Sequence, residues 1–104
     1  MMSKVLYPSE IEFSQLYQNN DLLLVIFYAS WSAPCQKLAP HIDKLAQEHP
    51  EATVMKIDID AYPTLAAKFK AETIPSMFVV KKGIITRRRL GFVSYSTLEE
   101  ILKD

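Results

Sequence analysis

Cysteine is almost absent: among 104 residues there is one, Cys35, so no disulfide can form within the chain. Histidine is nearly as scarce, and Cys35 with His41 and His49 falls short of the four Cys/His ligands that structural zinc sites usually take. Charge of one sign is missing as well, since twelve Lys and Arg balance twelve Asp and Glu. Nucleic-acid binders depend on a basic excess to attract phosphate, so none is expected as a partner. The longest apolar run, Leu22 to Ala29, is far below the roughly 20 residues that cross a bilayer, and no leader-like succession opens the chain. The expectation is a protein with no membrane partner, placed in the cytoplasm, where few cysteines suit a reducing milieu.

What is present is an ordinary globular composition, 49% hydrophobic and 23% charged. At this length a domain buries about two-thirds of its unfolded surface, enough for a core without staples. One α/β domain over residues 1–104 is expected, without repeat, linker or low-complexity segment.

The pattern reads as βαβαβαββα. Val5-Leu6-Tyr7 is a short apolar strand ended by Pro8, and Ser9-Glu10-Ile11-Glu12 has capping-box spacing for a helix with Ile11, Leu16 and Tyr17 inward. Leu22 to Tyr28 is continuously apolar, as a strand covered on both faces must be. Leu38, Ile42, Leu45 and Ala46 mark a helix running to His49, with Pro40 inside it as a source of a kink. Val54, Ile57 and Ile59 form a strand, Asp60 with Pro63 opens a helix bearing Leu65, Ala66 and Phe69, and Lys81-Lys82-Gly83 turns a hairpin between Met77–Val80 and Ile84–Thr86. Ser96-Thr97-Leu98-Glu99 is expected to cap a last helix with Leu98, Ile101 and Leu102 inward. Helices alternating with strands, then a hairpin, predict a mixed sheet with helices on both faces.

The strongest chemical signal is Trp31-Ser32-Ala33-Pro34-Cys35, which joins the end of the buried strand to the start of a helix. Open α/β sheets place their sites at such junctions. The helix N-terminus favours a thiolate at Cys35 whereas burial disfavours it, and sequence leaves that balance open.

Phe27-Tyr28-Ala29-Ser30-Trp31-Ser32-Ala33-Pro34-Cys35, Ala39-Pro40, Val54 to Asp60, Thr73-Ile74-Pro75-Ser76 and Leu90-Gly91-Phe92 together resemble the thioredoxin family over nearly the whole chain. The family's active stretch is Trp-Cys-Gly-Pro-Cys. The resemblance implies the thioredoxin fold and the activity of a thiol–disulfide oxidoreductase. It makes Ser32 the position of the nucleophile, here substituted, and Cys35 the resolving thiol. Trp31, Ala33, Pro34, Ile74, Pro75, Gly91 and Phe92 become a client-facing surface, with Pro75 in cis. Protein clients or extended peptides are the implied partners of a monomer, with a thioredoxin reductase as electron donor if the native motif is dithiol. No metal or cofactor is implied.

Two departures oppose the ordinary activity. A serine hydroxyl stays protonated near neutral pH without an activating base, so it cannot start an exchange that proceeds by thiolate attack. Ile26 stands where the family usually holds a buried acid that assists proton transfer, and Lys56 is retained without that acid. Joint loss of acid and nucleophile favours natural divergence over an engineered Cys-to-Ser exchange. Dithiol activity is then absent or strongly impaired; the alternative is a redox-inactive module that binds clients in the Pro75 groove.

Other conspicuous residues have plainer readings. Arg87-Arg88-Arg89 is expected to be a solvated edge, His41 and His49 to lie on a charged helix face, and Asp58 and Asp60 to open a helix rather than bind metal.

Overall fold

Leu23–Tyr28 (β1) carries six residues with almost no polar atoms, and only a strand buried on both faces can accommodate them. It is one of two inner strands of a four-stranded sheet, in a computed structural model that describes residues 4–103. Thr53–Asp58 (β2) runs parallel to β1, while Ser76–Lys81 (β3) and Ile84–Leu90 (β4) continue antiparallel on its other side. The mixed sheet expected from the sequence is present. Its first strand is reduced to a parallel bridge, Leu6 to Met55, because Pro8 stops the ladder one residue beyond Tyr7.

Alternation along the strands builds two cores. Leu24 and Ile26 of β1 face Ala33–Glu48 (α2) and Tyr95–Leu102 (α4). Leu23, Val25 and Phe27 face Glu10–Asn19 (α1) and Pro63–Lys68 (α3). Ser9 caps α1 through the expected box, its hydroxyl accepting from the Glu12 amide while the Glu12 carboxylate takes the Ser9 amide. The helix turns differently from the expectation: Ile11 is 73% exposed, and Phe13 takes the inward place with Leu16 and Tyr17 at i+3 and i+4. The cause is aromatic packing, since Phe13 meets Tyr17 and Phe69 with ring centroids 5.5 and 5.7 Å apart.

Two boundaries shift. The last helix is capped by Ser94, not Ser96; the Ser94 hydroxyl accepts from the Thr97 amide at 3.3 Å, and the earlier start lets the Tyr95 hydroxyl donate to Glu48 on α2 at 2.6 Å. The third helix starts at Pro63 with Tyr62 as its N-cap and no side-chain cap, so Asp60 stands outside it instead of opening it. It ends at Lys68, with Phe69 as its C-cap. The hairpin turn falls on Lys82 and Gly83, both at positive φ (50° and 80°), as a two-residue connection of right twist requires. Pro40 lies inside an uninterrupted α2.

Candidate active site

The end of β1 and the start of α2 are tied by short-range bonds. The Ser32 amide donates to the Ala29 carbonyl, and the Gln36 side-chain amide returns to the Ser30 carbonyl at 2.8 Å. Ser32 is the N-cap of α2: its hydroxyl accepts from the Cys35 amide at 3.4 Å, satisfying one of the first-turn donors that a helix leaves open. Ala33 and Pro34 occupy the exposed first turn, where proline loses nothing because its missing N–H would have been unpaired. Ser32 and Cys35 are both only 6% exposed, so the hydroxyl and the thiol sit under the rim rather than on it.

Trp31 is the opposite, 67% exposed, yet fixed: its indole N–H donates to the Asp60 carboxylate at 2.8 Å. Asp60 is held in turn by its own amide, which donates to the Asp58 carboxylate at 2.9 Å. Asp60 was legible only as a helix opener; its role as the indole's anchor depends on the β1–β2 pairing, which puts the two loops side by side.

On the other side, the Ile74–Pro75 peptide bond is cis. Pro75 is buried, Ile74 half-buried, and the Pro75 carbonyl accepts from the Gly91 amide at 2.7 Å. Gly91 has φ of +80°, and a Cβ there would meet no atom within 4 Å, so conformation and not space calls for glycine. Phe92 follows, 46% exposed, with its ring 5.7 Å from that of His41 on α2. His41 is therefore half-buried beneath an aromatic residue of the rim rather than on a solvated face. His49 departs from that expectation too: as the C-cap of α2 it contacts Glu51 at 3.0 Å and Glu99 of α4 at 2.8 Å, and these carboxylate hydrogen bonds raise its pKa.

Behind Cys35 lies a crevice, shared with Ile26, Tyr28, Lys56 and Pro75, that is too tight for a water molecule. Ile26 is 1% exposed and registers with Lys56 on β2 and Met77 on β3. No acid occupies that strand position, and the Lys56 ammonium lies over two aromatic faces, 4.4 Å from the Tyr28 centroid and 5.8 Å from that of Tyr7. Burial pushes Lys56 below its ordinary pKa, opposed by the nearby charge of Asp43. The Tyr28 hydroxyl is pushed up, first by burial and then by Asp58 and Tyr7.

The arrangement thus gathers Trp31, Ser32, Cys35, Pro75 and Gly91 at one end of the sheet and leaves Ile26 inside the core. Arg87, Arg88 and Arg89 are elsewhere, on β4, with Arg88 stacked 5.3 Å from the Phe78 ring. Among the described residues no group of three or more His, Cys, Asp or Glu is placed to hold a metal ion, and no helix is long and apolar enough to cross a membrane.

Comparison with known proteins follows the same outline. The family model described as Thioredoxin matches residues 4–104. Thioredoxin from Porphyra purpurea is 38% identical over 96 residues, covering 90% of each chain. Thioredoxin from Mycoplasmoides gallisepticum is 30% identical over 95 residues, covering 91% of this chain and 95% of the relative. Among solved structures, oxidized mitochondrial thioredoxin 3 from Saccharomyces cerevisiae superposes with a TM-score of 0.85 at 31% identity, covering 98% of this chain and 94% of that one. With the sheet order, the β1–α2 junction and these matches in agreement, the chain belongs to the thioredoxin family.

Proposed function

We propose that this protein is a thioredoxin-family member that engages extended segments of client proteins at the rim formed by Trp31, Ala33, Pro34, Ile74, Pro75, Gly91 and Phe92, but in which the two-thiol exchange is blocked at Ser32. The observation that carries this reading is the place of Ser32: its hydroxyl caps α2 over Cys35 instead of presenting a thiol. Exchange needs a thiolate to attack the client disulfide and a second thiol to break the mixed disulfide so formed. Cys35, the sole thiol, can take only one of these roles, and a mixed disulfide on it has no second thiol in the chain to release it. Ile26 and Lys56 support the same conclusion, since the buried strand position beside the crevice behind Cys35 holds an isoleucine and not an acid that could relay a proton. A monomer in the cytoplasm is part of the same proposal, in keeping with a single cysteine that suits a reducing milieu.

Capture of clients without electron transfer is a second reading, favoured by the exposure of Trp31 and Phe92 on either side of the rim. Insulin reduction by dithiothreitol, followed by turbidity, tests the first. The protein should not exceed background, and Ser32→Cys should. Equal turnover above background in both forms would overturn the assignment, whereas a Trp31 fluorescence response to the insulin B chain with no turnover even in Ser32→Cys would favour capture.

A further inference from the structure

On the face of the sheet opposite Cys35, α1, α3, β3 and β4 border an open cavity of about 580 Å³. That is within the roughly 300–1,000 Å³ of small-molecule sites. Its wall is aromatic: Phe69 meets Phe13, Tyr17 and Phe78 edge-on, with centroids 5.7, 5.6 and 5.3 Å apart. Tyr17 and Phe69 are half-buried, so part of each ring remains on the wall of this space. The rim is cationic, with Lys68, Lys70 and Arg88 against the single carboxylate of Glu10. None of these three cations is in an ion pair among the described residues.

Two local arrangements shape the cationic rim. Arg88 is held in place, its guanidinium 5.3 Å from the Phe78 centroid and donating to the Lys70 carbonyl at 3.3 Å. One of its five donors is thus used for positioning, and the remainder suit a carboxylate or phosphate. Lys70 is in the left-handed region at φ of +54° as the residue just past the C-cap of α3, where the Ala71 amide donates to the Ala66 carbonyl and the Lys70 amide to that of Ala67. The turn thereby brings its carbonyl to Arg88 and its side chain to the cavity rim.

We propose that this cavity binds a small aromatic anion, its ring against Tyr17 and Phe69 and its anionic group on Arg88 and Lys70. The class is that of free aryl carboxylates and aryl phosphates. The site is independent of the redox motif, because it lies beyond the sheet from Cys35.

The test is titration of the full-length protein with 2-naphthoate, followed by amide NMR shifts. Shifts should concentrate on residues 13–18, 65–70 and 85–88, with a dissociation constant of about 1 mM or tighter for a ligand this small. The neutral 2-naphthalenemethanol and the non-aromatic cyclohexanecarboxylate should each bind at least tenfold more weakly, and the naphthoate affinity should fall with added salt. Arg88→Gln should weaken binding severalfold. Lys70→Gly should do the same while raising the unfolding midpoint, since it relieves the left-handed lysine; that opposite movement separates lost contact from lost fold. Shifts centred on Trp31 and Phe92, equal binding of the neutral alcohol, or unchanged affinity in both variants would overturn the proposal.

Discussion

Replacing Ile26 by Asp restores the type of group that the family usually places on this strand, and the structure indicates what that does. Ile26 is 1% exposed, so the substitution first forfeits the burial of an isoleucine, about 1.5–3 kcal/mol. It then places a carboxyl beside a crevice with no room for water, at a further cost of about 1–3 kcal/mol if unpaired. Lys56, the neighbour in register, is already held against Tyr28 and Tyr7 and would have to leave both rings to pair with it. The expected loss at pH 7 is therefore about 3–5 kcal/mol, a large part of the 5–15 kcal/mol typical of a domain, and a fall of roughly 15–30 °C in Tm.

The pH dependence fixes the cause. Burial raises the folded-state pKa of such a carboxyl above its unfolded value near 3.9, so over that interval the folded state binds more protons. Stability relative to the parent then falls as pH rises above about 4 and levels off only above the folded pKa. Ile26→Asn, of similar size but without a titrating proton, should show the volume loss and no such slope. Urea unfolding of the parent and both variants from pH 4 to pH 8 measures this directly. A loss below 1 kcal/mol at pH 7, with the Asp and Asn variants parallel in pH, would refute the reasoning and mean that Lys56 leaves the tyrosines to pair with the acid. Combined with Ser32→Cys, the same substitution should raise insulin turnover beyond Ser32→Cys alone.

Two further outcomes are expected. Maleimide should label Cys35 on the order of a hundredfold more slowly in the native protein than in denaturant, because the thiol is reached mainly through local opening; similar rates in both would show an exposed thiol. His49→Gln should destabilise by about 1 kcal/mol at pH 5.5, where both carboxylate contacts of a protonated ring are present, with its partners exposed enough to keep the effect small. The folded pKa of His49 is raised, so this advantage is complete below the unfolded value near 6.5 and is lost as pH rises through the folded one. A gap between His49→Gln and parent that stays constant to pH 9 in urea titrations would contradict it.

Much of the architecture was legible because it rests on signals local to the chain. The unbroken apolar run of β1, the i, i+3, i+4 spacing of Leu38, Ile42, Leu45 and Ala46, and the Ser9–Glu12 box each fix an element without reference to the rest. Elsewhere a distant residue decides. Ser94 and Ser96 are both fit to cap a helix, and the choice falls to Ser94 with Tyr95 reaching Glu48, 47 positions earlier. Ile11 gives way to Phe13 because Phe69 lies across the sheet face to receive a ring. At the site, the substitutions at Ser32 and Ile26 were visible as letters, but the indole anchor on Asp60 and the tyrosine faces around Lys56 exist only once β1 and β2 are paired.

The cap at Ser32 separates two kinds of fitness that usually travel together. Serine is among the best residues at that helix position, where alanine would forfeit about 1 kcal/mol, so a serine here holds the start of α2 whether or not the chain ever handles a disulfide. Pressure to stay folded is consequently blind to the exchange of sulfur for oxygen at residue 32. A lineage can lose the attacking thiol there without becoming less stable, less abundant or more prone to degradation, and only demand for the reaction itself would bring the cysteine back.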